Sequence, residues 1–265
     1  MSTILITGAA SGLGWELARQ FAPRARQLVL VDIQKELLET RQQELTDQYS
    51  QLDVSSFVVD LSDSQAVENL TSQVTESHPQ IDILVNNAGI THRSLVTKTH
   101  ARVFQRVMDV DYKGPVELTL GLLPLLKKSH GTIINISSMA SWMPVLGRAG
   151  YCAAKSALNQ FFETLRCEVR HQGIHILMVY PSFLDTPIEQ NALGHDGQPA
   201  RHQRSTIGQM RTASETVTAI LKALDQGKER LFPDRKTWAA SVLYKLMPRA
   251  YQKLMTRKFA SELEQ

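Results

Sequence analysis

Cysteine is scarce in this sequence, which argues against a cross-linked or metal-bound fold. The two cysteines, Cys152 and Cys167, have no histidine or cysteine around them at zinc-finger spacing, so we expect neither a disulfide framework nor a metal site. No stretch approaches the roughly 18 apolar residues that a membrane-spanning helix needs. Only three residues precede the first apolar run, so we expect no signal peptide. With so little cysteine, we expect a cytoplasmic protein that is soluble or at most bound to a surface.

Acidic residues are missing from one stretch near the end of the chain. Residues 236–258 contain six basic side chains and no acidic one, although the formal net charge of the whole chain is only +3. The remainder is therefore mildly acidic. Because a nucleic-acid-binding face requires a basic stripe, we expect no nucleic-acid partner for the main part of the protein.

Short runs rich in valine, isoleucine and leucine alternate with amphipathic stretches, a pattern typical of buried parallel strands and covering helices. The predicted strands are Thr3–Thr7, Gln27–Val31, Ser56–Asp60, Ile81–Val85, Thr132–Ile136 and His175–Tyr180. The predicted helices are Gly14–Phe21, Lys35–Gln48, Asp63–His78, Ala101–Leu126, Tyr151–Gln172 and Ser214–Gln226. This order predicts an α/β fold of the Rossmann type, a single domain in which a doubly wound parallel sheet of about seven strands has helices on both faces.

We place this domain at residues 1–235 and treat 236–265 as a basic amphipathic extension. Within the domain, the polar segment at about 185–212 has no strand or helix pattern and contains Gly194, Gly197 and Pro199. Loops of this length are usually functional or disordered. We predict that the segment is a lid that excludes water from a bound substrate.

A glycine-rich loop, TGAASGLG, follows the first strand and opens a helix, with Gly8, Gly12 and Gly14 at G-x3-G-x-G spacing. Such glycines allow a tight turn and let backbone N–H groups approach a pyrophosphate. No Lys-Ser or Lys-Thr pair follows them, which excludes a P-loop. A purely structural strand-to-helix turn is the alternative.

Asp32 ends the second strand, where a carboxylate can accept hydrogen bonds from the adenosine ribose hydroxyls of a dinucleotide. Its charge would repel a 2′-phosphate, and the neighbouring positions Ser11, Ile33 and Gln34 are not basic. The sequence therefore favours NAD over NADP as cofactor. The alternative is a surface carboxylate without a ligand.

Ser138, Tyr151 and Lys155 form an S-x12-Y-x3-K pattern in which the last two residues lie one helical turn apart. A phenol titrates near pH 10, too high for a base at neutral pH. A nearby ammonium group together with a positive nicotinamide ring would stabilise the phenolate. Ser138 is placed to hydrogen-bond a substrate oxygen as charge develops there.

These motifs, with NNAG at 86–89, YCAAK at 151–155 and YPSFLDT at 180–186, closely resemble the short-chain dehydrogenase/reductase family in its compact single-domain branch. The resemblance implies hydride transfer between NAD and an alcohol or carbonyl, with Tyr151 moving the proton. It further implies that Asp60 and Leu61 flank the adenine. The complete set expected to bind cofactor is Gly8, Ser11, Gly12, Leu13, Gly14, Asp32, Ile33, Asp60, Leu61, Asn87, Ala88, Gly89, Ile90, Tyr151, Lys155, Pro181 and Thr186.

Two positions depart from the family pattern. Asp111 stands where many members have an asparagine that holds a helix distortion and a water connected to the lysine, and Ser182 stands where many have glycine. By this resemblance Asp111 occupies the fourth catalytic position and could hold the same water. A carboxylate there would also favour protonated Lys155 and offset part of its positive field, so we expect activity with a shifted pH profile. The alternative is that Asp111 points elsewhere and hydrates a helix kink.

Large apolar residues beside the catalytic positions predict a pocket for a hydrophobic secondary alcohol or ketone. These residues are Met139, Trp142, Met143, Val145, Leu146, Phe183, Leu184 and Ile188. Thr91, His92 and Arg93 follow NNAG near the same edge, either touching a polar end of the substrate or lying in solvent. We expect a homodimer or homotetramer.

Lys245, Arg249, Lys253 and Arg257 recur every fourth residue in the extension, opposite a loose apolar row. The pattern suits an interfacial membrane helix, but Pro248 interrupts it, and a helix pair packed on the domain or across a dimer explains the row equally well. Two alternatives to the oxidoreductase function also stay open. One is a cofactor-sensing or scaffold protein that has lost catalysis, and the other is a lyase, dehydratase or epimerase on the same fold.

Overall fold

The computed structural model describes residues 2–181, Leu184, Ile188, 190–200 and 211–260, with the side chains of 235–237 excepted. The strands in these residues are β1 (Ser2–Thr7), β2 (Ala25–Asp32), β3 (Asp53–Val58), β4 (Ile83–Asn86), β5 (Thr132–Ile136), β6 (His175–Val179) and β7 (Arg230–Leu231). The α-helices are α1 (Gly12–Phe21), α2 (Lys35–Gln48), α3 (Ser64–Ser77), α4 (Ala101–Met108), α5 (Gly114–Ser129), α6 (Ala149–Val169), α7 (Ala213–Asp225), α8 (Arg235–Leu246) and α9 (Pro248–Lys258).

All strand pairs in this part of the chain are parallel, and the sheet order is β3-β2-β1-β4-β5-β6-β7. The order reverses between β1 and β4. The carboxyl ends of these two strands therefore flank a crevice, because the loops after them leave toward opposite sides of the sheet. The predicted seven-stranded, doubly wound sheet is confirmed.

Two apolar layers cover the sheet because successive strand residues point to opposite faces. In β1, Ile4 and Ile6 face the layer formed with α1, α2 and α7, while Leu5 faces the layer formed with α3, α5 and α6. At roughly 25 cal/mol for each Å² of buried apolar surface, these layers are the main force holding the sheet and helices together. The carboxyl ends of the strands are thereby held at one edge.

The predicted long helix Ala101–Leu126 is interrupted. A π-helical turn spans Asp109–Lys113 between α4 and α5. Pro115 is the second residue after this turn and has no backbone N–H to donate, which removes one α-helical hydrogen bond at this junction. Gly114 lies so close to Leu61 that an added Cβ would be 2.4 Å from the Leu61 carbonyl oxygen. The turn carries Asp111 into the interior.

Other differences concern the ends of elements. The third strand is Asp53–Val58 rather than Ser56–Asp60, because its register is set by pairing from Gln27 with Asp53 to Asp32 with Val58. Residues beyond Val58 turn away toward the crevice. Sequence patterning also did not predict the short strand β7.

The C-terminal extension forms the helix pair α8 and α9. The rings of Tyr244 and Tyr251 lie 5.2 Å apart between the two helices, and the Tyr251 hydroxyl is 3.5 Å from the Pro144 carbonyl oxygen. Met255 is buried. Of the two alternatives for this segment, the pair packed on the domain is therefore present. No helix in the described part of the chain is both long and apolar enough to cross a membrane.

Candidate active site

A cavity of about 470 Å³ opens at the carboxyl ends of the strands, on both sides of the crevice between β1 and β4. Its wall combines the glycine-rich loop, the ends of β2 and β5, the segment after β4 and the first turns of α6. The lining includes these predicted residues: Gly8, Ser11, Gly12, Leu13, Asp32, Ile33, Asp60, Leu61, Asn87, Ala88, Gly89, Ile90, Ser138, Met139, Val145, Tyr151, Lys155, Pro181, Leu184 and Ile188.

The glycine-rich loop is compressed against the segment after β4. Gly8 and Gly12 have φ of 66° and 54°, a region that strongly favours glycine. Gly14 does not line the cavity, but a Cβ there would lie 1.9 Å from the Gly8 carbonyl oxygen. The Asn87 side-chain amide donates to the Thr7 carbonyl at 2.9 Å and joins the two segments. The loop is thus built for close backbone approach of a ligand.

Asp32 is only 7% exposed and lies at the end of β2. One of its carboxylate oxygens accepts the Ala10 N–H and the other accepts the Gln34 N–H, both at 3.0 Å. Each oxygen keeps a further lone pair, and the side chain lines the cavity. Asp32 therefore both orders the glycine-rich loop and offers a negative acceptor beside it.

Asp60 forms an ion pair that the sequence did not suggest. Arg106 of α4 lies 2.8 Å from its Oδ2, while Ser62 donates to its Oδ1 from both the backbone and the hydroxyl. Burial opposes the charge, but Arg106 and Ser62 hold the pKa of Asp60 below its ordinary value. Arg106 also lines the cavity, and it was not predicted because its partner is 46 residues away.

Ser138, Tyr151 and Lys155 meet at the other end of the cavity. Ser138 follows β5 and its Oγ accepts the Ala140 N–H at 3.1 Å, which caps a single 3₁₀ turn. Tyr151 lies in the first turn of α6. The Lys155 ammonium lies 5.7 Å from the centre of the Tyr151 ring and donates to the Ile136 carbonyl at 3.2 Å.

Asp111 directly contacts this group. Its Oδ1 accepts the Ile90 N–H at 2.7 Å, and its Oδ2 lies 3.2 Å from Lys155 Nζ. Both charged side chains are buried. The alternative in which Asp111 points away and hydrates a kink is therefore wrong, because the π-helical turn aims its carboxylate at Lys155.

The charges at this end of the cavity are interdependent. Burial raises the pKa of Tyr151 and the Asp111 charge raises it further, whereas Lys155, a hydrogen bond to Ser138 and Arg148 lower it. Burial disfavours the Lys155 cation, but Asp111 and Tyr151 outweigh this and raise the Lys155 pKa. Burial raises the Asp111 pKa against the pull of Lys155. Without cofactor, Tyr151 is therefore a neutral phenol beside a protonated lysine.

Thr91, His92 and Arg93 are buried, so the expectation that they are solvated loop residues is wrong. His92 Nε2 accepts the Gly150 N–H at 2.9 Å and so anchors the start of α6, one residue before Tyr151. Burial, with a smaller contribution from Arg148, lowers the pKa of His92 to about 4. The imidazole is therefore neutral and can accept this hydrogen bond at physiological pH.

Arg148 is the main residue of the substrate end that sequence reasoning missed. It is buried, lines the cavity and donates to the Thr91 hydroxyl at 3.0 Å. Thr91 and Asn191 also line this end. Long-range folding brings these polar groups together, and no local pattern marks them.

Three predicted pocket residues lie outside the cavity: Trp142, Met143 and Leu146. The Trp142 ring packs 4.5 Å from that of Tyr180 and 5.8 Å from that of Phe232, so it belongs to the core. Met143 is 1% exposed. Adjacency in sequence failed for Trp142 and Met143 because both follow the 3₁₀ turn Met139–Ser141 and their N–H groups bond back to the Met139 carbonyl, which turns their side chains inward. The predicted residues Phe183 and Thr186, like Ser182, lie outside the described residues.

The described part of the predicted lid is tied to the domain. The Leu193 N–H donates to the Thr91 carbonyl at 2.8 Å, and the Arg93 N–H donates to the Leu193 carbonyl at 2.7 Å. Residues 192–200 fold back on themselves through a hydrogen bond from the Ala200 N–H to the Ala192 carbonyl. Residues 190–200 therefore form an anchored wall that brings Asn191 to the cavity.

The two ends of the cavity suit a nicotinamide dinucleotide. The glycine cradle, with no room for a Cβ at Gly14, fits a pyrophosphate, and Asp32 with Asp60 fits the adenosine end. Tyr151 and Lys155 are placed for the nicotinamide ribose. Such a group, when bound, would supply or accept the hydride.

The sequence profile described as short chain dehydrogenase matches residues 2–196. A curated relative, "Dehydrogenase/reductase SDR family member 7B" from Bos taurus, is 32% identical over 98% of this chain and 82% of its own length. A solved short-chain dehydrogenase from Sphingobium yanoikuyae in complex with NADPH is 27% identical, with a TM-score of 0.81 over 97% of this chain and 96% of that one.

A short-chain dehydrogenase/reductase from Burkholderia phymatum in complex with NAD shares the fold, with a TM-score of 0.79 at 20% identity over 92% of each chain. Both nicotinamide cofactors are thus found in structural neighbours. The family profile covers well over half of the sequence, and the cavity holds the serine, tyrosine and lysine that its chemistry needs. The chain belongs to the short-chain dehydrogenase/reductase family of oxidoreductases.

Proposed function

We propose that this protein is an NAD-dependent oxidoreductase that interconverts a secondary alcohol and a ketone on a hydrophobic small molecule. The observation that carries the proposal is the buried group of Tyr151, Lys155 and Asp111 at one end of a cavity whose other end holds the glycine cradle and Asp32. This arrangement supports a proton donor and a dinucleotide site that share one continuous cavity.

The preference for NAD rests on Asp32. Its carboxylate lines the cavity at the end of β2, and a 2′-phosphate beside it would meet like charge. Arg106 does not compensate, because it is engaged by Asp60. A ribose hydroxyl, in contrast, can donate to the free lone pairs of Asp32.

In the reduction direction, the neutral Tyr151 hydroxyl donates its proton to the substrate oxygen as negative charge develops there. Ser138 donates a second hydrogen bond to the same oxygen. Lys155 and Arg148 stabilise the phenolate that remains. In oxidation the phenolate takes the proton back, so the charge balance around Tyr151 sets the working pH.

The substrate end of the cavity combines apolar and polar walls. Met139, Val145, Leu184 and Ile188 supply the apolar part, while Thr91, Arg148 and Asn191 supply polar groups. This composition is typical of small-molecule sites, where a few polar groups orient an otherwise apolar ligand. We therefore propose a hydrophobic substrate with a polar group near the reacting carbon.

The scaffold alternative depends on Asp111 disabling the lysine. The ion pair argues against it, because Asp111 raises the Lys155 pKa and keeps the ammonium charged. The carboxylate weakens the positive field at Tyr151 without removing it. We infer an active enzyme with an altered pH range.

A screen of secondary alcohols with NAD and NADP, following absorbance of the reduced cofactor, tests the proposal. In any active assay, Tyr151→Phe should reduce kcat by about 10² to 10⁴-fold, the usual contribution of a general acid–base, while cofactor binding persists. Tyr180→Phe is the matched control, since it removes a hydroxyl held by Asn159 in the core. Full turnover in Tyr151→Phe would disprove the mechanism.

The expectations of a cytoplasmic location and a homodimer or homotetramer also enter as proposals. The free thiols of Cys152 and Cys167 are consistent with the reducing compartment of the first expectation. Sedimentation velocity of the purified protein measures the oligomeric state, and a monomer at working concentration would contradict the second expectation.

A further inference from the structure

The C-terminal helix pair, α8 with α9, exposes an unusual amount of apolar surface. Among the described residues, four of the eight exposed large apolar side chains belong to it: Trp238, Leu246, Met247 and Leu254. Leu246, which ends α8, is 77% exposed, and Met247, which links α8 to α9, is 56% exposed. An apolar turn at the tip of a helix pair is a feature of interaction sites, since exposed apolar patches usually mark contacts.

Basic residues flank this tip and continue along α9 to its far end. Lys245 precedes Leu246, and Arg249, Lys253, Arg257 and Lys258 follow on α9, all of them exposed. No acidic residue occurs between Asp234 and Ala260. The surface therefore carries one sign of charge around a set of apolar side chains, the composition of helices that lie in the headgroup region of a membrane.

The helix pair is connected to the substrate end of the active site. Tyr251 contacts the Pro144 carbonyl, and Val145, the next residue, lines the cavity. Burial, together with the nearby Cys152 and Tyr244, raises the Tyr251 pKa to about 12, so this contact is made by a neutral phenol. The helix pair that carries the tip is thus packed against Pro144, next to the cavity wall at Val145.

We propose that the α8–α9 tip docks on the surface of an anionic lipid bilayer, with Leu246 and Met247 entering the headgroup region and the surrounding lysines and arginines facing the lipid phosphates and carboxylates. The docking is peripheral and does not depend on the proposed reaction. It would hold the substrate end of the cavity near a membrane, a source of hydrophobic alcohols and ketones.

A second copy of this chain is a less suitable occupant for the same surface. In a twofold-symmetric contact the same patch appears on both sides, which would bring the basic residues of two tips together without an acidic partner. An anionic bilayer offers the opposite charge over a wide area. Each basic residue near its surface raises the binding affinity roughly fivefold.

The test is flotation of the full-length protein with vesicles of phosphatidylcholine alone and of phosphatidylcholine mixed with phosphatidylserine. We expect flotation with the mixed vesicles at low salt and loss of binding at high salt. The triple variant Arg249→Gln/Lys253→Gln/Arg257→Gln should bind on the order of a hundredfold more weakly. The double variant Leu246→Ser/Met247→Ser should lose at least about tenfold.

Matched controls change similar side chains elsewhere. Val96→Ser removes an exposed apolar side chain in another loop, and Lys127→Gln/Lys128→Gln removes two exposed charges at the end of α5; neither should alter flotation. Circular dichroism and cofactor binding verify that each variant is folded. Absence of binding to anionic vesicles at low salt overturns the proposal, and so does equal weakening by the controls. If the double variant instead dissociates a dimer and wild type does not float, the tip is an interface between copies.

Discussion

The cofactor end and the substrate end of the cavity are built in different ways. At the cofactor end, backbone groups dominate: the glycine cradle, the Ala10 and Gln34 N–H groups held by Asp32, and the Thr7 carbonyl held by Asn87. At the substrate end, side chains from distant segments meet, as with Arg148 and Thr91. A backbone-built site tolerates few changes of sequence, whereas a side-chain-built site can vary its contents while keeping the fold.

The strongest test of this comparison is Gly14→Ala. The new Cβ would lie 1.9 Å from the Gly8 carbonyl oxygen, and relieving a clash between two backbone segments should cost about 3 kcal/mol or more of unfolding free energy. Cofactor affinity should fall with it. Gly227→Ala is the comparison variant: a Cβ there meets nothing within 4 Å, so any cost comes from the positive φ of 61° at Gly227 and not from a clash. Denaturant unfolding and cofactor titration provide the measurements. Unchanged cofactor affinity in Gly14→Ala would contradict the claim that close backbone packing builds the cofactor end.

Trp142→Ala tests which residues belong to the substrate end. Because this ring packs on Tyr180 and Phe232 rather than on the cavity, we expect a loss of about 3 kcal/mol of stability with little change in substrate preference. Met139→Ala should change the substrate preference with a smaller loss of stability, because Met139 lines the cavity. Thermal unfolding and the ratio of kcat/KM between two alcohols separate the two effects. A changed substrate preference in Trp142→Ala would show that the Trp142 side chain lines the substrate pocket after all.

Asp32→Asn probes the one side chain on which the cofactor end depends for selectivity. Hydrogen bonds to a charged group contribute about 1.5–3 kcal/mol, so the preference for NAD over NADP should narrow by roughly 10- to 100-fold. Asp53→Asn is the control and should leave the preference unchanged, because Asp53 begins β3 at the end of the β2–β3 pair that is remote from Asp32. Steady-state kinetics with both cofactors decide the matter, and a constant ratio in Asp32→Asn would contradict the ribose role.

The smallest expected effect is a shift in pH dependence. Asp111 raises the Tyr151 pKa, so removing its charge in Asp111→Asn lowers that pKa. Oxidation of the alcohol needs the phenolate, and its rate should therefore begin to rise at lower pH in the variant. Asp60→Asn, at the cofactor end, should leave the profile in place. A rise that moves to higher pH would show that the sign of the Asp111 contribution is wrong.

Much of the cofactor end could be predicted from sequence because its parts are local. A strand followed by three glycines, and a carboxylate at the next strand end, each depend on a few neighbouring residues, and the structure brings Gly8, Gly12 and Asp32 to one cavity wall. Parallel strands ensure that successive loops meet at one edge. The Ser138, Tyr151 and Lys155 pattern was recognisable for the same reason, since two of its members share one turn of α6.

The substrate end was harder to predict. Trp142 and Met143 were placed in the pocket from adjacency in sequence, but a single 3₁₀ turn directs them into the core. Arg148 and His92 were missed or misjudged because their importance comes from partners more than fifty residues away. The direction in which a short turn points its side chains, and contacts between residues far apart in the chain, leave no periodic pattern in the sequence.

The sequence by itself determined the family, the doubly wound sheet and the chemical groups of catalysis, because hydrophobic periodicity and short motifs are local properties of the chain. Only the tertiary structure decided that Asp111 pairs with Lys155, that His92 anchors the turn before Tyr151, and that the basic extension exposes an apolar tip. Each depends on how buried elements pack across the fold, and burial is what gives a charge or a hydrogen bond its strength.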